Sequence, residues 1–178
     1  AWEAKKMLPD GLFWQYDVWD AMEESISGSR KDKNARPTIS SYMFANALAI
    51  ARIARLTGDE VLAGEFDAKA KAVKKAVQSG LWDSDEKFFK VRLEATGKLS
   101  GAREAIGFIP WMFSLPDKGK GYEEAWLQAI DPDGFDAPCG LTTAERRHPL
   151  FRSHGVGHCE WDGAVWPFAT SQTLLAMA

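Results

Sequence analysis

Two long amphipathic runs separated by a single tight break leave this chain few ways to fold. From Thr38 to Leu56, the residues Ile39, Tyr42, Met43, Ala47, Ile50, Ile53 and Ala54 recur at three- and four-residue spacing. Thr38, Ser40 or Ser41 can serve as N-cap and Gly58 as terminator. Asp59 then caps a second run, in which Leu62, Phe66, Ala70, Val73 and Val77 mark an apolar face. Lys69, Lys71, Lys74 and Lys75 form its wet side, and Gly80 ends it. So short a connection predicts an αα-hairpin, and hence an all-α architecture built from paired helices.

The rest of the chain fits around that pair. Leu81-Trp82 and Phe88-Phe89-Lys90-Val91 flank Asp83-Ser84-Asp85-Glu86-Lys87, which reads as a small β-hairpin between helices. Glu104 to Leu115 is apolar on nearly all sides, with Pro110 near a helix start and Pro116 closing it, so it belongs in an inner wall. Gly121 to Ile130 predicts a short amphipathic helix that ends at Asp131-Pro132-Asp133-Gly134. From Phe135 to Asp162 no period holds, and a loop of that length carrying all three histidines reads as functional. Pro167 opens a last helix that still runs at Ala178, and the chain is expected to be one partial domain, residues 1–178, of a longer protein. Paired helices with short outer turns and long inner loops predict a helical toroid, in which the loops at one end gather round a cavity.

Charge excludes some partners. A net charge of −3, with basic residues spread among acidic ones, argues against a nucleic-acid or anionic-membrane surface. No run of 18 apolar residues is present. Cys139 and Cys159 allow at most one bridge. His148, His154, His158, Cys139 and Cys159 share one region, but Gly155-Val156-Gly157 disfavours the helix that would put His154 and His158 on one face, so no metal is expected. No Gly-rich phosphate loop and no Gly-x-Ser-x-Gly elbow occurs, and no cofactor is expected.

Two segments interleave aromatics with acids. In Trp14-Gln15-Tyr16-Asp17-Val18-Trp19-Asp20-Ala21-Met22-Glu23-Glu24-Ser25, flat aromatic faces suit the C–H faces of a pyranose, and carboxylates accept hydroxyl hydrogens or donate a proton to a glycosidic oxygen. On a helix Asp17, Asp20, Glu23 and Glu24 would fall near one face, a like-charge cluster that costs stability unless it is used. A solvated acidic helix start is the plainer reading, but it would leave Trp14, Tyr16 and Trp19 exposed. The second segment, Glu160-Trp161-Asp162-Gly163-Ala164-Val165-Trp166-Pro167, repeats the theme, with Gly163 permitting close backbone approach. Glu145, Arg146 and Arg147 are hydroxyl-binding candidates, or plain surface charges.

In this order the motifs resemble the six-hairpin glycosidases, specifically the mannosylglycerate-hydrolase-like group related to processing α-glucosidase and, more distantly, trehalase. Met22-Glu23-Glu24-Ser25 is similar to the Met-Asp-Asn-Ser part of that family's Glu-Ser-Gly-Met-Asp-Asn-Ser motif. Arg36-Pro37-Thr38, Leu81-Trp82-Asp83, Phe108-Ile109-Pro110-Trp111, Gly134-Phe135 and Cys139-Gly140-Leu141 follow collinearly. Trp161-Asp162-Gly163-Ala164-Val165-Trp166 is similar to the family's Trp-Arg-Gly-Pro-Val-Trp, with Asp162 where the pattern has Arg.

The resemblance implies an (α/α)6 toroid, here a partial barrel, and a glycoside hydrolase acting on an α-linked glucoside or mannoside with inversion. Glu23 would stand at the general acid, with Asp20 as second candidate. Trp14, Gln15, Tyr16, Asp17, Trp19, Arg36, Glu145, Arg147, Glu160, Trp161, Asp162 and Trp166 would bind the sugar. It also implies that the general base lies beyond Ala178 and that the rest of the catalytic domain is the chain's partner. The rival readings are a sugar epimerase or isomerase using His154 and His158, and a non-catalytic carbohydrate-binding helical module.

Overall fold

The computed structural model describes residues 2–154 and 159–178, with five α-helices and one β-hairpin among them. Helix α1 spans Trp2–Lys6 and was not anticipated from the sequence. Helices α2 (Pro37–Leu56) and α3 (Glu60–Gly80) form the expected antiparallel pair. Pro37 occupies the first turn of α2, where its missing N–H costs nothing. The α2 end folds back at Thr57 and at Gly58, whose φ of +81° suits glycine. Asp59 caps α3 by accepting a hydrogen bond from the Leu62 N–H at 2.9 Å.

The seam between them is narrower than the periodicity predicts. Ala47, Ala51 and Ala54 of α2 and Ala63, Ala70, Val73, Ala76 and Val77 of α3 are buried, so small side chains let the backbones approach. Ile50, Ile53 and Leu62 instead lie at the surface. The first turn of α2 buries Thr38, Ser40 and Ser41. Two of these hydroxyls have definite work: Ser40 accepts from the Phe13 N–H at 3.1 Å, and Thr38 donates to Asp20.

Strands β1 (Trp82–Asp83) and β2 (Phe88–Phe89) pair antiparallel, Trp82 opposite Phe89 and Asp83 opposite Phe88. Asp83 accepts from the N–H groups of Asp85 and Glu86, both at 3.0 Å, and so closes the turn. Phe88 and Phe89 are fully buried and join two neighbouring cores.

Glu104 to Leu115 is not one helix. It divides into a 3-10 turn, Ala105–Phe108, and helix α4, Ile109–Met112, because Pro110 has no N–H to continue a ladder and Ser114 takes φ +52°. Its burial is as expected, with Ile106, Phe108 and Ile109 enclosed. Tyr122–Ile130 is likewise a 3-10 helix, its Trp126 stacked on Phe108 with ring centroids 4.7 Å apart. Helix α5, Pro167–Met177, opens on its proline and packs against α4.

Gly107 sits where any side chain would run into the Phe88 ring and the Phe89 carbonyl. Gly107→Ala is therefore expected to cost about 1–3 kcal/mol or more through overpacking. The shift of the urea denaturation midpoint measures it; an unchanged midpoint would mean the 3-10 turn does not sit against β2.

Candidate active site

The first aromatic–acid segment is not a helix through Glu24. Only Asp17–Asp20 forms a 3-10 turn, which ends at Ala21 with φ +59°, and Glu24 also takes φ +53°. The four carboxylates therefore do not stack on one helical face. Asp17 and Asp20 point into the protein and are buried, whereas Glu23 and Glu24 are half-buried on the loop that follows.

Asp20 is the centre of a buried polar network. Its Oδ2 accepts hydrogen bonds from Gln15 Nε2 at 2.6 Å, Thr38 Oγ1 at 2.7 Å and Arg36 Nε at 2.8 Å; Arg36 Nη2 lies 3.4 Å from Oδ1. Arg36 is wholly enclosed. Burial alone would lower its pKa, but Asp20, Glu104 and Asp17 reverse that and hold the guanidinium charged. Asp17 shapes the loop: it accepts from the Val18 N–H at 2.7 Å and, across the turn, from the Glu24 N–H at 3.1 Å. Gly28 packs so closely on the Asp17 side chain that a Cβ there would collide with it.

Glu104 completes this network, and the sequence reading placed it only at the start of a helix. Its carboxylate takes the Ser27 N–H at 3.3 Å and the Ser27 hydroxyl. Burial pushes its pKa up, against the pull of Arg36 and Ser27. A charged residue opening the apolar stretch Ala105-Ile106-Gly107-Phe108 was the available signal. Glu104 lines a cavity of about 10 Å³ together with Met22, Ser25, Ile106, Thr143 and Trp161, so the two aromatic–acid segments meet there.

On the outer side of this contact lies a groove of about 540 Å³. Glu24, Ser25 and Ile26 form one wall; Leu150, Phe151, Arg152 and Asp162 contribute to the rest. Asp162, standing where the resembling motif has Arg, is paired with Arg152: Nε donates to Oδ2 at 2.5 Å and Nη2 contacts the same oxygen. Gly163 makes this possible, since a Cβ there would strike the Arg152 backbone. Arg152 had no motif to mark it, because it sits in the aperiodic loop.

The aromatic residues divide into two groups. Trp14, Tyr16 and Trp19 cluster with centroid separations of 4.8–5.9 Å, joined by Trp2 at 6.0 Å from Trp19. Lys6 Nζ lies over Trp14 at 3.5 Å and over Trp19 at 4.0 Å, so only Trp19, 45% exposed, and Trp2 keep much open face. Trp161 and Trp166 stack at 5.0 Å, but Trp161 is buried in the same core as Met22 and Phe108. A buried ring cannot serve as an open platform.

Glu145 and Arg147 are engaged elsewhere. Glu145 is buried and pairs with Arg103 Nη1 at 2.6 Å, while Arg147 pairs with Asp131 and donates to the Asp133 carbonyl at 3.0 Å. Both therefore brace the loop over residues 131–145 instead of lining the groove. Glu160 is buried, and Gln15 is committed to Asp20 and Thr38. His154 is exposed, and His158 lies outside the described residues. Cys139 and Cys159 are unbonded and exposed. Among the described residues no group of three or more His, Cys, Asp or Glu could hold a metal, and no helix is long and apolar enough to cross a membrane.

Residues 1–178 match the family model of the mannosylglycerate hydrolase MGH1-like glycoside hydrolase domain. A solved structure described as a sialidase is 54% identical, with TM-score 0.95, and the match covers 99% of this chain but 16% of that protein. Mannosylglycerate hydrolase of glycoside hydrolase family 63 from Thermus thermophilus, solved in complex with glucose, is 16% identical with TM-score 0.67, covering 81% of this chain and 34% of that one. Neutral trehalase from Saccharomyces cerevisiae is 15% identical with TM-score 0.65, covering 81% and 28%. No curated protein matches the chain. The chain thus spans about a third or less of these relatives, and the shared architecture is a part of an (α/α)6 toroid.

Removing the Asp20 carboxylate would strand a buried guanidinium, so Asp20→Ala is expected to cost about 3–5 kcal/mol in urea denaturation; a cost below about 1 kcal/mol would remove Asp20 as the anchor. Glu104 carries a pH signature. Its folded pKa lies above its ordinary value of 4.5, so the folded state holds the proton more tightly and stability falls as pH rises from there through the folded value. The difference in melting temperature between the parent chain and Glu104→Gln should fall across that window, and a flat difference would contradict it.

Proposed function

As the chain belongs to the mannosylglycerate hydrolase MGH1-like glycoside hydrolase family, we propose that the protein of which it forms part hydrolyses an α-linked glucoside or mannoside by an inverting, two-carboxylate mechanism. The observation that carries this reading is the family match along the whole of residues 1–178. The meeting of the two aromatic–acid segments at one groove supports it and gives the reaction a place.

Glu23 is the proton donor in this reading. It is half-buried, and no hydrogen bond or ion pair among the described residues engages its carboxylate. Its side chain is therefore not committed to a structural partner, and it directly precedes Glu24, which lines the groove. Asp20 is less suited to that task because donors already occupy both oxygens. Asp20 and Arg36 instead hold the loop that carries Glu23. Gln15, Asp17 and Thr38 support the same loop.

Inversion needs a second carboxylate roughly 6.5–9.5 Å from the acid, with room for a water between them. We assign that base to the portion of the toroid that this chain does not span. The chain alone would then bind but not turn over its substrate.

Removing a positioned acid typically costs about 10²–10⁴-fold in rate. Glu23→Gln in the full-length protein is expected to lose about that much kcat on an alkyl α-glucoside or α-mannoside, whose departing alkoxide needs the proton, with KM little changed. Asp20→Asn, assayed in parallel, is expected to lose stability more than turnover. If Glu23→Gln keeps full activity and Asp20→Asn abolishes it in a folded protein, the acid is Asp20.

A further inference from the structure

We propose that Arg152, held by Asp162, is a specificity-determining residue that reads a pair of hydroxyls on an uncharged pyranose in the groove beside Glu24 and Ser25. This rests on the reading of that groove as the sugar site and goes beyond it by naming the residue and the charge class of the ligand.

The backbone fixes the pair before its side chains do. The Arg152 N–H donates to the Asp162 carbonyl at 3.1 Å, and Arg152 forms a parallel bridge with Gly163, which must lack a side chain there. The two side chains then start from adjacent backbone segments and meet. Nε and Nη2 both contact Asp162 Oδ2, which leaves Nη1 of the guanidinium and Oδ1 of the carboxylate outside the pair. A donor and an acceptor held side by side match two neighbouring hydroxyls of a pyranose, one accepting and one donating.

Exposure divides the roles. The Asp162 side chain is 10% exposed and that of Arg152 40%, so the carboxylate is the fixed anchor and the guanidinium the reaching group. Asp162 holds the Arg152 charge firmly, with Glu160 and Glu24 near enough to add to the effect. Charge sets the ligand class. Arg152 and Arg30 are each set against an acid, Asp162 and, at 3.7 Å, Glu24, leaving no positive surplus for a carboxylate-bearing sugar. An arginine already neutralised by its own aspartate still donates hydrogen bonds, which is what a hydroxyl requires.

The test is calorimetric titration of the full-length protein with methyl α-D-glucopyranoside, methyl α-D-mannopyranoside and, as the anionic probe, N-acetylneuraminic acid. The wild type is expected to bind one of the neutral glycosides best. Arg152→Ala is expected to weaken that binding about tenfold or more, as loss of a charge-assisted hydrogen bond does. Arg152→Lys should stay weak, because an ammonium cannot keep one edge on Asp162 and offer another; it decides the matter should the alanine variant fail to fold. Asp162→Asn should also weaken binding, and by less in the Arg152→Ala background, where only its own contact with a hydroxyl remains to be lost. Wild-type affinity in either Arg152 variant, or preference for the anionic sugar over both neutral ones, overturns the proposal. Binding by Glu23→Gln without turnover separates this result from the hydrolytic reading, since the pair is read by affinity alone.

Discussion

Asp20 and Arg36 form a buried ion pair from which the first loop of the site is hung. An enclosed guanidinium is tolerated only where its charge and its hydrogen-bond donors are met, and here the partners arrive from three parts of the chain. Asp20 comes from the 3-10 turn, Arg36 and Thr38 from the entrance of α2, and Glu104 adds its field from the start of the next 3-10 turn. The pair thus ties the loop over residues 21–27 to the helical hairpin on one side and to the second core on the other. That tie explains why the first turn of α2 is polar and buried, which would be a poor choice for a helix whose only task was packing.

From this anchor the groove follows. Asp17 and Asp20 fix where the loop turns, Glu24 takes its left-handed backbone conformation with its N–H on Asp17, and Ser25 reaches the contact with Trp161. The second segment arrives by a different device, a glycine pressed on the Arg152 backbone and an ion pair above it. Two loops with no regular structure are in this way held by a few buried charges and close backbone contacts, so side chains on them can be set with the accuracy that acid catalysis and sugar recognition require.

The helical hairpin was legible in the sequence because its signals are local: periodicity, an N-cap at Asp59 and a glycine at Gly58. The β-hairpin was legible for the same reason, through Asp83 and the flanking aromatics. Periodicity misjudged the α2 seam, since it weights large residues such as Ile50 and Ile53, whereas the contact is made by alanines that allow close approach. The helix start near Pro110 was legible from the proline itself, but the 3-10 turn before it was not, because burial on all sides hides the change of period. At the site, composition pointed to two segments that do meet, but not to their geometry. Whether an acid faces inward, as Asp20 does, or lies on the loop, as Glu23 does, depends on Arg36, and Arg152 and Glu104 are brought in by contacts distant in sequence.

Catalysis and recognition both require a glycoside in the groove between the loop over residues 24–26 and the Arg152–Asp162 pair. A crystal structure of the full-length protein with a slowly hydrolysed α-glucoside or α-mannoside shows whether one sits there. The glycosidic oxygen is expected within about 2.6–3.2 Å of the Glu23 carboxyl, with ring hydroxyls on Arg152 and Asp162. A sugar bound instead against Trp2 and Trp19, with the groove holding only solvent, would contradict both assignments.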